Sequence, residues 1–248
     1  MAEQPLSAAS LAQQLRQVPG DYPLPWRMQV RSICASTELE LDRWLQREPI
    51  GAAARVVVAH RQGFGHGQQG RVWSSPAGGL WLSAALPWTP DPDRAASLAL
   101  AVAVGVALQL EELGLEPAIK WPNDLLVSGL KLCGFLPRLA WRSGRVRYAR
   151  VGLGLNGTNS VPAGAVSLQQ LRVRQRPAAL GARVLRALEW AAAAAEQPEL
   201  VRRQAQQRLW NPGPLEHDGQ RWSITGLSLD GGLQLENASG STVLRRRF

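Results

Sequence analysis

Two lysines stand out among the residues that could do chemistry. The 248-residue chain has 28 Lys and Arg together, and only Lys120 and Lys131 are lysines. Either residue type serves as a surface charge, whereas a compact ammonium suits a tight anion pocket better than a planar guanidinium. Their occurrence within one twelve-residue stretch indicates a functional pocket, with chance as the alternative.

An acidic partner for Lys131 lies across a predicted hairpin. Two short apolar runs flank Ser128-Gly129, a pattern typical of a tight two-residue turn. Strand alternation then puts four residues on one face: Asp124, Leu126, Lys131 and Cys133. A lysine inside an apolar run needs a negative partner. The alternatives to a functional pair are a buried structural ion pair and a lysine that reaches back to solvent.

A glycine-rich stretch could cradle a nucleotide. Residues 63–70 contain four glycines, whose exposed N–H groups and close backbone approach suit phosphate. Arg71 and Trp73 follow and would point the same way on a strand, which suits a phosphate beside a nucleobase. No Gly-Lys-Ser/Thr follows, so this is not a Walker loop, and a flexible hairpin tip is the alternative.

A second group of glycines, at positions 152, 154 and 157, surrounds Asn156. An asparagine side chain offers a donor and an acceptor together, as adenine recognition requires. A tight turn explains the same residues.

Together these segments resemble the biotin protein ligases, in that family's order and spacing. The matching residues are Ser36-Thr37, the loop 61–73, Ser75-Pro76-x-Gly78, Leu82-Ser83, Lys120-Trp121-Pro122-Asn123-Asp124, Lys131-x-x-Gly134, Gly154-x-Asn156 and Ser167-Leu168. The segment from Lys120 to Lys131 is the specific part.

The resemblance implies two-step chemistry that uses biotin, ATP and Mg²⁺. The biotin carboxylate would attack the α-phosphorus of ATP to give biotinyl-5′-AMP and pyrophosphate. A lysine amine of a biotin carboxyl carrier protein domain would then attack the mixed anhydride. Pressing two anions together requires fixed cations and N–H donors.

The resemblance also implies a role for each matching residue. Lys131, Arg71 and Asp124 would be catalytic, and Asp124 would also contact the metal. The biotin-binding residues would be Ser36, Thr37, Glu38, Gln62, His66, Gly67, Gln68 and Lys131. The ATP-binding residues would be Arg71, Trp73, Lys120, Asn123 and Asn156.

The chain departs from the family pattern in the glycine-rich loop. His66-Gly67-Gln68-Gln69 stands where the family commonly has Arg-Gly-Arg-Arg, and Glu38 stands where asparagine usually follows Ser-Thr. Glutamine can donate hydrogen bonds but neutralises no charge. We therefore expect weaker retention of the adenylate or a slower first step, and a changed acyl substrate or a weakened biotin-binding homologue are further options.

Two alternative functions have distinct sequence signatures. A lipoate or octanoate ligase or transferase shares the fold, but the chain lacks the Arg-Arg-x-x-Gly-Gly-Gly loop typical of those enzymes. A DNA-binding repressor needs a helix-turn-helix, and only about 25 residues precede the matching core, which is too few. We therefore expect no specific DNA binding.

The composition bounds the remaining possibilities. The chain has 45% hydrophobic and 19% charged residues, typical of a soluble globular protein. We expect no membrane segment and no signal peptide. Two cysteines imply no disulfide framework and favour the cytoplasm. The pattern leaves homodimerisation open.

Part of the formal net charge of +9 lies in a cluster of arginines that follows the predicted hairpin. That cluster consists of Arg138, Arg142, Arg145, Arg147 and Arg150. A solvated basic face is one interpretation, and electrostatic steering of an acidic carrier domain is the other.

The elements that must position these residues predict an α+β fold, in which helices are layered on a mixed or antiparallel sheet. This is the class II synthetase-like core that the resemblance implies. The predicted strands are 28–34, 55–59, 80–86, 125–127, 130–136 and 145–152. The predicted helices are 8–16, 39–46, 91–112, 167–173 and 182–196.

Short strands and turns after position 206 predict a second, smaller unit. We divide the chain into a catalytic domain, 1–205, and a small C-terminal SH3-like β-barrel, 206–248. About forty residues cannot bury a core alone, so the small unit should pack on the large one.

Overall fold

The computed structural model describes residues 6–88 and 95–245, apart from the side chain of Gln69. Its helices are α1 (Ala8–Gln17), α2 (Thr37–Arg47), α3 (Leu98–Glu111), α4 (Pro177–Ala193) and α5 (Pro198–Gln207). Its strands are β1 (Trp26–Cys34), β2 (Ala54–Gln62), β3 (Leu80–Leu86), β4 (Pro117–Lys120), β5 (Asp124–Val127), β6 (Leu130–Arg142), β7 (Arg145–Leu155), β8 (Leu215–His217), β9 (Gln220–Leu227), β10 (Leu233–Asn237) and β11 (Gly240–Leu244).

Seven strands form one mixed sheet in the order β1-β2-β3-β7-β6-β5-β4. Strands β1 and β2 are parallel, and the other neighbours are antiparallel. The α+β class with a mixed sheet is therefore confirmed.

Side-chain alternation gives the sheet two different faces. Val56, Leu82 and Val151 belong to the main core with helices α1, α3 and α4. Val57, one position along from Val56, packs with Leu41 and neighbouring residues of α2 in a smaller cluster. The face that carries only α2 leaves room for a site beside that helix.

Helix α3 is apolar nearly all round and is buried between the sheet and α4. Its Gly105 permits that depth, because a Cβ there would lie 2.3 Å from the Ala187 carbonyl oxygen of α4. The close backbone approach fixes the helical layer tightly behind the sheet.

Strands β8 to β11 form a separate four-stranded antiparallel sheet, as an SH3-like C-terminal unit requires. Leu227, Leu233 and Leu235 of this sheet are buried in the main core cluster. The Trp121 indole Nε1 also donates to the Gly231 carbonyl oxygen at 2.9 Å. The small sheet thus packs on the large one, while the boundary at 205/206 stays a prediction.

Two predicted helices need correction. The helix predicted over 91–112 begins at Leu98, with Ser97 as N-cap, and residues 89–94 lie outside the described part. Residues 167–173 form turns rather than a helix, since Ser167 and Gln170 bond to each other locally. Sequence reasoning also missed β4 and α5.

Within 6–88 and 95–245, no helix is both long and apolar enough to cross a membrane.

Candidate active site

A cavity of about 490 Å³ opens on the α2 side of the sheet. This volume falls within the ordinary range for small-molecule sites. Every site residue predicted from sequence lines it: Ser36, Thr37, Glu38, Gln62, His66, Gly67, Gln68, Arg71, Trp73, Lys120, Asn123, Asp124, Lys131 and Asn156. Segments far apart in sequence are therefore brought together as the spacing suggested.

Lys131 and Asp124 form the predicted ion pair, with Lys131 Nζ 2.7 Å from Asp124 Oδ1. The turn at Ser128 and Gly129 has φ values of 51° and 76°, as a two-residue hairpin requires. The pair is partly exposed to the cavity, so the ammonium can meet a ligand anion without leaving its carboxylate partner.

Cys133 does not share that face, contrary to prediction. The register between β5 and β6 shifts between Leu125 and Leu126, so Leu132 is an extra residue on β6. A bulge of this kind reverses the alternation beyond it. Cys133 therefore points into the main core, where burial raises the pKa of its thiol well above the ordinary value despite the opposing effect of Lys131.

The Trp73 ring packs against the backbone of two paired glycines. Gly134 and Gly154 are directly opposite each other on β6 and β7. A Cβ at Gly154 would be 2.5 Å from the Trp73 Nε1 atom, and one at Gly134 would be 2.9 Å from the ring. Lys131 Nζ lies 4.6 Å from the Trp73 ring centroid, within range of a cation–π interaction. The glycines thus bring an aromatic plane and an ammonium together.

A buried polar network occupies the end of the cavity at the N-terminus of α2. Gln62 Oε1 accepts from the Thr37 N–H at 2.7 Å and from the Thr37 hydroxyl at 3.0 Å. Gln62 Nε2 donates to the Ser75 hydroxyl at 2.9 Å, and the Thr37 and Ser83 hydroxyl oxygens are 2.8 Å apart. Ser36 caps α2 by accepting from the Glu38 N–H. Fixed donors and acceptors of this kind can recognise a polar head group.

Glu38 joins the cavity wall to the β6–β7 pair. Its carboxylate forms ion pairs with Arg138 and Arg150, and Arg150 also pairs with Asp42. Burial opposes the charge on Arg150, but Glu38 and Asp42 outweigh it and raise its pKa above the ordinary value. Glu38 is therefore held by neighbouring cations, which gives its carboxylate a structural role that the sequence did not indicate.

The glycine-rich loop folds back on itself over the cavity. His66 and Val72 form an isolated antiparallel bridge, and the Gly67 N–H donates to the Arg71 carbonyl oxygen at 2.6 Å. His66 and Arg71 are exposed at the cavity wall. The loop therefore presents Arg71 to the cavity, while the side chain of Gln69 lies outside the described part.

Lys120, which lines the cavity, contacts a residue that sequence reasoning missed. Lys120 Nζ lies 5.5 Å from the centroid of the Trp210 ring. Trp210 is placed there because its N–H donates to the Ile119 carbonyl oxygen of β4 at 2.9 Å. No local pattern around Trp210 signals this pairing, which joins segments about ninety residues apart.

The two asparagines bind the protein's own backbone. Asn123 Nδ2 donates to the Phe135 carbonyl oxygen at 2.7 Å. Asn156 Nδ2 donates to the Val166 carbonyl oxygen at 3.2 Å, and its Oδ1 accepts from Asn159. Asn156 Nδ2 also lies 3.4 Å from the Lys131 carbonyl oxygen, so both asparagines contact the backbone of β6. Their contacts with a nucleotide stay predictions.

The described residues contain no group of three His, Cys, Asp or Glu side chains suited to hold a metal ion. Mg²⁺ commonly needs only one or two carboxylates when substrate phosphates complete its shell. Asp124 fits that limited role for an ion that arrives with a nucleotide, and its metal contact stays a prediction.

Comparison with known proteins agrees with this geometry. Residues 35–156, which include every predicted site residue, match the family model described as Biotin/lipoate A/B protein ligase family. These residues are thus similar to the domain that the family model describes.

Individual relatives are similar over part of the chain. The protein named Bifunctional ligase/repressor BirA from Bacillus subtilis (strain 168) is 39% identical over 103 residues, which cover 41% of this chain and 32% of that protein. Biotin--[acetyl-CoA-carboxylase] ligase from Mycobacterium tuberculosis is 34% identical over 147 residues, covering 54% and 52%. The chain thus spans about a third to a half of the length of the curated relatives it matches.

The fold extends beyond the family domain. The structure of a biotin protein ligase from Aquifex aeolicus in complex with biotin and ATP covers 89% of this chain and 95% of that chain, with a TM-score of 0.69 and 23% identity. At this identity the similarity establishes the shared fold.

Proposed function

We propose that this protein is a biotin protein ligase that activates biotin with ATP and transfers it to a lysine of a carrier domain. One observation carries the proposal: a single cavity has a buried hydrogen-bonding network at one end and the Lys131, Asp124 and Trp73 cluster at the other. Such a cavity suits a ligand with a polar head group and a carboxylate that meets a nucleotide.

The first step joins two anions. A carboxylate oxygen of biotin attacks the α-phosphorus of ATP, and pyrophosphate leaves with the electrons of the broken P–O bond. Lys131 and Arg71 would offset the charge that accumulates as the anions approach. Asp124, 2.7 Å from Lys131, keeps the ammonium fixed for this contact.

The second step forms an amide. The neutral amine of a carrier lysine attacks the carbonyl carbon of biotinyl-5′-AMP, loses a proton and expels AMP. The partner in this step is a biotin carboxyl carrier protein domain. This assignment is supported by relatives named as biotin–acetyl-CoA-carboxylase ligases.

The polar network favours biotin over lipoate or octanoate. A site lined by fixed donors and acceptors favours a head group that can hydrogen-bond to them over an apolar chain, which displaces water from these groups and returns no hydrogen bond. The chain of octanoate offers no such group to Thr37 and Gln62.

The substitutions in the glycine-rich loop determine how tightly we expect the adenylate to be bound. Gln68 in place of an arginine donates hydrogen bonds without neutralising phosphate, so we propose that the adenylate is released more readily than in relatives with the basic loop. The cytoplasm, where ATP and thiols are abundant, is the proposed location. Homodimer formation stays a prediction that sedimentation can test. The absence of specific DNA binding stays a prediction that DNA titration can test.

The decisive experiment is pyrophosphate release with ATP and Mg²⁺ in the absence of carrier. Release with biotin, and not with octanoate or lipoate, supports the proposal. Release with another acid instead, or none with any acid, would overturn it.

Lys131→Ala tests the assigned cation. We expect loss of biotin-dependent pyrophosphate release by about 10²- to 10³-fold, the usual effect of removing one transition-state donor. The fold should be retained by circular dichroism. Arg174→Ala removes an exposed cation outside the cavity and serves as the matched control. Activity within a few-fold of wild type in Lys131→Ala would remove Lys131 from its role.

A further inference from the structure

Strands β6 and β7 continue beyond the rest of the sheet as a two-stranded ribbon. Pairing of β3 with β7 ends at Ala149, and pairing of β5 with β6 ends at Gly134. The ribbon closes through a two-residue turn at Ser143 and Gly144, whose φ values are 51° and 73°. We use the term arginine ribbon for residues 138–150.

The end of the arginine ribbon carries unpaired positive charge. Arg142, Arg145 and Arg147 are exposed, and none of them forms an ion pair with any residue in the part of the chain that the structure describes. Arg142 and Arg145 lie directly opposite each other. Like charges in that position destabilise a strand pair, so the ribbon tolerates an internal repulsion that an anionic partner would relieve.

The two other arginines of the sequence cluster have a different role. Arg138 and Arg150 are engaged by Glu38, and Arg150 also by Asp42. Only the three arginines at the tip remain to meet a partner.

The ribbon face that bears Arg142 and Arg145 is the face of the cavity. The β6–β7 register shifts between Ala140 and Trp141, but the extra residue, Arg147, is on β7 and leaves the alternation of β6 unbroken. Gly134, Leu136, Arg138 and Arg142 therefore point to one side of β6, and the first two line the cavity. Arg142 is eight residues from Gly134, about 26 Å along the strand. A carrier domain of about 100 residues, with a radius of gyration of about 13 Å, can span that distance when its lysine enters the cavity.

The position of Trp141 favours an acidic protein over a nucleic acid. Trp141 is 55% exposed, but it pairs with Val146 on the opposite face of the ribbon. Binding of single-stranded nucleic acid combines cations with aromatic platforms in one groove. Here Arg142 and Arg145 lie on one face of the ribbon, and the exposed Trp141 ring lies on the other.

We infer that the tip of the arginine ribbon is a docking surface for an acidic patch on the carrier domain beside its acceptor lysine. The inference rests on the proposed function, because it concerns only the second substrate. The three arginines act by long-range attraction and orientation, and they take no part in adenylate formation.

The test is the triple variant Arg142→Glu, Arg145→Glu, Arg147→Glu, with an apo biotin carboxyl carrier domain of net negative charge as the probe. We expect kcat/KM for the carrier to fall at least about 10-fold at low ionic strength, the lower end of electrostatic steering effects. The loss in kcat/KM should shrink to less than about 3-fold in 1 M salt, where screening limits electrostatic attraction to a range of about 3 Å. Carrier-free pyrophosphate release should be unchanged.

The matched control reverses three exposed arginines outside the ribbon and the cavity, Arg16, Arg174 and Arg203, to glutamate. Both variants then have the same net charge. An equal loss in the control, or an unchanged kcat/KM in the ribbon variant with pyrophosphate release intact, would overturn the inference. A ribbon variant that loses only DNA binding would overturn it as well. Absence of pyrophosphate release in the wild-type protein would instead contradict the proposed function.

Discussion

Replacement of Gly154 by alanine should disable the site while leaving the fold intact. A Cβ at this position would lie 2.5 Å from Trp73 Nε1, and 2.7 and 2.9 Å from two neighbouring ring atoms. A normal carbon–nitrogen contact is about 3.5 Å, so the indole must retreat by about 1 Å. The ring belongs to a loop rather than to the sheet, and it is the ring that can move.

Displacement of the Trp73 ring should lower the rate of pyrophosphate release. Lys131 Nζ is 4.6 Å from the ring centroid, and such an interaction contributes about 0.5–2 kcal/mol. A misplacement of about 1 Å in a catalytic constellation can cost about 10²-fold in rate. We therefore expect biotin-dependent pyrophosphate release to fall by about 10²-fold in Gly154→Ala, with a loss of unfolding free energy below about 3 kcal/mol.

Gly51→Ala, before β2 and outside the cavity, is the control, because no atom lies within 4 Å of its added Cβ and its φ is not in the left-handed region. It should retain the wild-type rate. If folded Gly154→Ala releases pyrophosphate at a rate within about 3-fold of wild type, then the contact of Trp73 with Gly154 does not matter for catalysis.

Two further expectations concern buried groups. Thr37→Val removes the hydroxyl that bonds to Gln62 and Ser83, so the free energy of unfolding should fall by about 1–3 kcal/mol and KM for biotin should rise. Thr225→Val, at an exposed strand position, is the control and should change the free energy of unfolding by less than about 0.5 kcal/mol. Equal melting curves for the two variants would refute the role of the network. Burial raises the pKa of both thiols, and it raises the pKa of Cys133 far more than that of half-buried Cys34. A thiol reagent should therefore modify Cys34 slowly, and faster as the pH rises, whereas Cys133 should react only after unfolding. Two reactive thiols in the native protein would contradict the burial of Cys133.

Local patterns predicted those parts of the site that depend on local geometry. The Ser128-Gly129 turn placed Lys131 diagonally from Asp124, and the apolar run at 80–86 matched β3 at both ends. The bulge at Leu132 was not predictable, because strict alternation fits the same residues equally well without it. Its effect was to send Cys133 to the core rather than to the cavity.

Interactions between distant segments escaped prediction for a different reason. Glu38 is held by Arg138 and Arg150, which are 100 and 112 positions away in sequence. Trp210 reaches Lys120 only because its backbone extends the edge of β4. Such pairs follow from the order of strands in the sheet, which periodicity within one strand does not reveal.

The scarcity of lysine gains a meaning from the chemistry proposed for the cavity. An acyl adenylate that escapes into solution modifies any accessible primary amine, and an enzyme that makes one is the nearest target. Here one side-chain ammonium is tied to Asp124, the other lies over Trp210, and 26 arginines supply the remaining basic charge. The guanidinium group remains protonated at neutral pH and is a poor nucleophile. Under the proposed chemistry, the chain therefore offers an escaping adenylate only two side-chain amines.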